Sequence, residues 1–308
     1  MASIVYVTDK NMLEYHRLNG NETMNFWRPM SQKNIRDFHV GDLIFFLTKI
    51  KEKGRGNEKG VVGYGRYSEM NSMTFKQMWK AYGNENGYSS KDKLEKAITN
   101  LTSNKELSEI LNCIYVTDVL FFNEPIYLST LGVTIPVTME SYIYLYNKEK
   151  EDVTYELLKK AKEVGVDIWA AAMNNKVANV LQFEEELALH QVSLVQKKIG
   201  DFTYSEYEEK QNRKIIKKRL REGRWIYKLK YSEYALMILE NMIPIIEMPL
   251  IISVKEKNRA KLLIGHLKMW ETHIDKGWTI NVITNEKVYE EISTYFISPQ
   301  IKFIVVED

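Results

Sequence analysis

One cysteine, Cys113, stands among 308 residues. That excludes a disulfide framework and a thiol-rich zinc site, and it fits a reducing, cytoplasmic setting. No apolar run approaches the roughly 18 residues of a membrane span. The longest candidate, residues 242–254, is broken by Pro244, Glu247 and Pro249. No membrane partner is therefore expected. The opening MASIVYVTDK lacks a basic stretch followed by an apolar one, so no signal peptide is expected either. Charge of one sign is also in short supply: the formal net charge is +2. Any case for a polyanionic partner must rest on local charge. There is no Gly-rich phosphate loop of the Walker type, no internal repeat and no low-complexity tract.

What is present suffices for one large or two ordinary domains. Apolar residues make up 44%, enough for real cores. The first half reads as strands with a few helices. Residues 4–7, 42–47 and 60–67 are short strand runs, and the glycines of GVVGYGRY predict a bulge or a close backbone approach. Residues 51–59 are polar and glycine-rich, a hairpin loop. Phe75, Met78, Trp79 and Tyr82 follow helical spacing and Gly83 stops them, which predicts a helix over 74–82. A second helix is predicted over 90–101, and a long, largely apolar, central strand over 112–122. From about residue 148 the texture turns charged and helical. Helices are predicted over 153–164, 167–181, 184–198, 205–221 and 231–242. The end alternates strand 250–254, helix 259–275, strand 278–283, helix 286–295 and strand 302–306, which predicts parallel strands joined by right-handed crossovers. The expected class is α+β. Its parts are a first domain of strands with a few helices (1–147), a helical, basic region (148–243) and a small α/β unit (244–308).

Two aromatic segments suggest contact with a flat ligand: NFWRP (25–29) and WKAYGNENGYSS (79–90). Stacking on an aromatic ring is worth roughly 1–3 kcal/mol per base. Side-chain amides both donate and accept, so Asn25, Asn84 and Asn86 suit the edge of a base. Gly83 and Gly87 would let the backbone approach closely. The competing reading places both indoles in the core, where Trp usually packs. The Arg28-Pro29 pair favours a rim position for Trp27.

The order NFWRP, GDLIFFL, GVVGYGRY, WKAYGNENG and then the NCIYV strand resembles the EVE-like branch of the PUA-like superfamily, as fused to HNH nucleases in bacterial restriction proteins. The resemblance covers residues 2–137. It implies a small, partly open β-barrel and an aromatic pocket for a modified or flipped base, as in the related YTH readers of methylated RNA. By position it implies that Asn25, Phe26, Trp27, Tyr64, Trp79 and Asn86 line or support that pocket. Extruding a base costs a few kcal/mol, which a stacked ring offsets.

A second resource is basic. Lys210, Arg213, Lys214, Lys217, Lys218, Arg219, Arg221, Arg224, Lys228 and Lys230 crowd one segment. Their steps of three and four put most of them on one helical face, with Ile216 and Leu220 to one side to dock it. Arg213, Lys214, Lys217, Lys218, Arg221 and Arg224 suit a phosphate backbone. The alternative is a solvated helix balanced by Glu206, Glu208 and Glu209, or by Glu184, Glu185 and Glu186.

No catalytic motif is complete. The paired-His nuclease motif of the HNH fusions is absent. His266-x-Lys268 is half of a phospholipase-D signature. Glu240, Glu247 and Lys255 make a degenerate PD-(D/E)xK match, with Ser253 where the second acid belongs. The sequence thus points to a nucleic-acid-binding protein of modification-dependent restriction or phage defence, with DNA favoured over RNA. A non-catalytic RNA-binding module and a nuclease with a divergent motif are the rivals. No cofactor is expected, save Mg²⁺ should the last unit be a nuclease, and a homodimer is left open.

Overall fold

In the computed structural model, described residues are 3–29, 35, 38–49, 58–102, 105–145, 153–173, 178–223, 226–229, 232–241, 243–253 and 257–306. The chain divides into two units, Met1–Val180 and Leu181–Asp308.

The first unit is built on strands β1 (Ser3–Val7), β2 (Met24–Pro29), β3 (Leu43–Lys49), β4 (Lys59–Met73), β5 (Leu111–Tyr127) and β6 (Tyr142–Tyr144). They form one mixed sheet in the order β2-β5-β4-β3-β1-β6. Among the described residues of this sheet, only β1 and β3 pair in parallel. Among the described residues β2 and β6 remain as edges, so the expected barrel is not closed by hydrogen bonding. The long β4–β5 ribbon shifts register at Val61/Gly63 and at Tyr64/Arg66. The glycine expectation therefore holds: a Cβ at Gly63 would come 2.3 Å from the Leu120 carbonyl oxygen.

Five helices accompany this sheet among the described residues: α1 (Lys10–Asn19), α2 (Phe75–Tyr82), α3 (Lys91–Leu101), α4 (Val153–Val164) and α5 (Ile168–Met173). Thr74 caps α2 through a reciprocal capping box with Gln77. Helix α1 is an element the spacing argument passed over. Its signals are Asp9, whose carboxylate accepts from the Met12 amide, and Gly20, left-handed at φ 60° just past the last turn.

The second unit holds α6 (Ala178–Ile199, almost wholly within it), α7 (Glu206–Glu222), β7 (Ile226–Lys228), β8 (Leu236–Glu240), β9 (Ile243–Pro249), α8 (Lys257–His273), β10 (Thr279–Thr284), α9 (Glu286–Ile292) and β11 (Ile301–Val305). Its sheet order is β11-β10-β9-β8-β7. The pairs β9–β10 and β10–β11 are parallel, as the strand–helix alternation predicts. The pairs β7–β8 and β8–β9 are antiparallel. This corrects the helix expected over 231–242, because β8 occupies much of that stretch. The run Ala235–Ile238 is buried throughout, and a continuous apolar run fits a strand covered on both faces as well as it fits a helix. Asn241, at φ 50°, makes the reversal into β9. The strand expected over 250–254 lies earlier, as β9, because Pro244 and Pro249 sit near its ends, where a missing N–H is tolerated.

Candidate nucleic-acid interface

Strand β2 pairs antiparallel with β5, with Phe26 opposite Ile114 and Trp27 opposite Cys113. Alternate side chains therefore enter different cores. Phe26 joins a cluster with Tyr6, Phe46 and Phe121. Trp27 joins Phe75 and Met78 of α2, Leu94 and Ile98 of α3, and Cys113. Its relative exposure is 9%, so the rim position expected for it is corrected: helices α2 and α3 cover that face of the sheet.

Of the six residues expected at the base pocket, the structure brings three together. The Trp27 indole N–H donates to the Asn86 carbonyl at 3.0 Å, the Asn25 amide donates to the Asn86 side-chain oxygen at 2.8 Å, and Asn86 donates back to Gly83 at 2.7 Å. This latch fastens the 83–87 turn to β2. Gly87 suits it, being left-handed and close-packed: a Cβ there would meet Met12 Cγ at 2.4 Å. Phe26 and Tyr64 lie elsewhere. Tyr64 is fully buried against Phe45 and Phe122, and Trp79 is half-buried against the Trp27 cluster. Buried beside the latch, His16 takes a contact from the Asn21 amide at 2.9 Å, and burial pulls its pKa down to about 3. Burial likewise pushes the Cys113 thiol up to about 11, away from nucleophilic use.

Cavities of the first unit open at other residues. One of about 260 Å³ is lined by Ile35, Phe38, Tyr67 and Met70, with the Phe38 and Tyr67 rings 5.2 Å apart. Sequence reasoning missed it because these residues are neither Trp nor adjacent. Another, of about 250 Å³, lies between α1 and the end of β5.

The helix α7 has two contrasting faces. Ser205 caps it, with Glu208 completing a capping box, and Gly223 follows its last turn. The inward face is polar and satisfied. Asn212 bonds both backbone groups of Ile251, at 3.2 and 2.9 Å. Arg219 meets the buried Glu247 in a two-point contact at 2.7 and 2.9 Å. Glu208 accepts from Arg259 at 2.6 Å and from the Ser253 amide at 2.6 Å. The Glu247 contact holds the Arg219 pKa above its ordinary value. Ile216 is buried, as expected, whereas Leu220 is exposed.

Arg213, Lys214, Lys217, Lys218 and Arg221 are all exposed. At about 100° per residue, Arg221 stands opposite Asn212 on the helix. Lys210 pairs with Glu206, and Arg213 with Glu209 and Glu233. Among the described residues Lys214, Lys217, Lys218 and Arg221 have no ion-pair partner. Arg224, Lys230 and Lys255 lie outside the described residues.

Among the described residues of the degenerate nuclease match, Glu240 and Glu247 stand at opposite ends of the β8–β9 pair. Glu247 is occupied by Arg219, and Glu240 is on the exposed end of β8. Burial lowers the His266 pKa to about 4, its ring rests on Phe202, and Lys268 pairs with Glu271. Among the described residues no three His, Cys, Asp or Glu side chains gather as a metal site.

No family model matches the sequence, and no curated protein matches it. The chain is similar to the crystal structure of ASCH from Zymomonas mobilis, with 15% identity and a TM-score of 0.35 over 50% of this chain and 94% of that one. Two single-residue variants of that protein give 16% and 14% identity at the same TM-score, covering 51% of this chain and 96% and 95% of theirs. No helix among the described residues is long and apolar enough to cross a membrane.

Proposed function

We propose that the chain binds nucleic acid through the outward face of α7. One observation carries this reading: Lys214, Lys217, Lys218 and Arg221 are exposed, share that face and lack ion-pair partners among the described residues, while the opposite face is fixed to its own unit by Asn212, Ile216 and Arg219. A docked helix with a free cationic stripe suits phosphates spaced along a backbone. Reversing Lys214 and Lys217 to Glu should abolish a mobility shift with a duplex oligonucleotide at low salt. Retained binding would remove the reading. Parallel arms with plain duplex DNA, methylated duplex DNA and RNA identify the strand.

A second reading concerns the base. The EVE-like resemblance favours capture of an extruded, modified base by a PUA-like first half, in restriction or phage defence. The cavity edged by Phe38 and Tyr67 supports it better than the buried latch of Asn25, Trp27 and Asn86. Aromatic edges there would offset unstacking. Tyr67→Ala should weaken binding to methylated oligonucleotides and leave plain ones unaffected; equal losses would count against it.

A further inference from the structure

We infer that the cleft between α1 and the end of β5 binds a small organic anion with a flat apolar body. The cleft encloses about 250 Å³, just below the roughly 300–1,000 Å³ of sites for drug-sized ligands. That size limits the occupant to about one ring system with one charged group.

Its floor is apolar: Leu13 from α1, Val62 from β4, and Phe121 and Pro125 from β5 all line it. A flat body rests on such a floor. Its charged wall is already balanced, because Arg17 bonds Asp167 at 3.0 Å and Glu14 at 2.9 Å. That network shapes the cleft but leaves little for a ligand to claim.

Three lining groups are uncommitted among the described residues. Lys10 is exposed at the first turn of α1, without an ion pair. The Asn123 side chain is exposed and makes no described hydrogen bond. Thr48 is the informative one. It is only 4% exposed, it lines the cleft, and its hydroxyl bonds to no described residue. A polar group in so nearly buried a residue ordinarily finds a partner, and this residue faces the cleft, from which a ligand can supply one. Lys10 supplies a positive charge for an anion. Asn123 and Thr48 each donate and accept at the rim of the flat body.

This site is independent of α7 and stands if that helix proves to bind nothing. Two sources share the chemistry, nucleoside 5′-monophosphates and aromatic carboxylates. Isothermal titration of the full chain with adenosine and uridine 5′-monophosphates, benzoate and inorganic phosphate separates them. We expect one of the organic anions to bind saturably, one per chain, and more tightly than inorganic phosphate. Lys10→Glu should weaken it about tenfold or more, the scale of a charge-assisted contact. Thr48→Val should weaken it severalfold while leaving the unfolding midpoint unchanged or higher, since it removes an unbonded hydroxyl. The α7 variant Lys214→Glu/Lys217→Glu should bind the ligand as tightly as the parent chain. The inference is overturned if none of the organic anions binds, if inorganic phosphate binds equally well, or if Lys10→Glu leaves affinity unchanged.

Discussion

Strand β2 and helix α7 both carry side chains suited to nucleic acid, and they differ in exposure to solvent. In β2 the indole of Trp27 lies between the sheet and two helices, its only donor taken by Asn86. In α7 four cations stand in water with no described partner. The difference follows from what each group gains by burial. An indole carries a large apolar area and one easily satisfied N–H. An ammonium or guanidinium is buried only against a carboxylate, and α7 shows both outcomes. Arg219 reaches Glu247 and is drawn inward, whereas Lys217 pairs with no acid among the described residues and stays out.

Substitutions can break this contrast. Trp27→Ala should cost most, about 3–5 kcal/mol in urea unfolding, as for large aromatic truncations in cores; a loss under about 1 kcal/mol would return the ring to the surface. Arg219→Ala comes next, at about 3 kcal/mol, because it leaves Glu247 buried without its cation. The double change Arg219→Leu/Glu247→Leu should cost less than the single one.

Acid sharpens the contrast from the β2 side. His16 has its folded pKa lowered to about 3 from 6.5, so the unfolded chain takes up its proton first. Stability should therefore fall as pH drops below about 6.5, by about 1.4 kcal/mol per unit for this group, until about pH 3. His16→Gln should flatten that limb of the curve; an unchanged slope would place the histidine in water. Ser205→Ala, which removes the cap of α7, should cost about 1 kcal/mol. Lys214→Glu/Lys217→Glu should change stability least, within about 0.5 kcal/mol.

Much of the second unit was legible because its signals are local. Ser205, Glu208 and Gly223 bound α7 almost to the residue, and the three-and-four spacing gave its charged face. The parallel strands β9, β10 and β11 follow from strand–helix alternation. Strand β8 was misread because Leu236–Leu239 has no periodicity to separate helix from strand. The first unit hid more. NFWRP looks like an exposed turn until β5 and the helices α2 and α3 cover it from both sides, and those partners lie some 50 to 90 residues away in the chain. Phe38, Tyr67 and Thr48 owe their interest to cavities, which no spacing rule reports.

The central claim is that the outward face of α7 meets phosphates. It is tested most directly by the salt dependence of duplex binding, as the slope of log K against log salt concentration. Four phosphate contacts predict a slope of about −3 to −4, and the neutralising double change Lys214→Gln/Lys217→Gln should reduce its magnitude by about 2. A slope near zero, or one that the double change leaves as it was, would contradict the account.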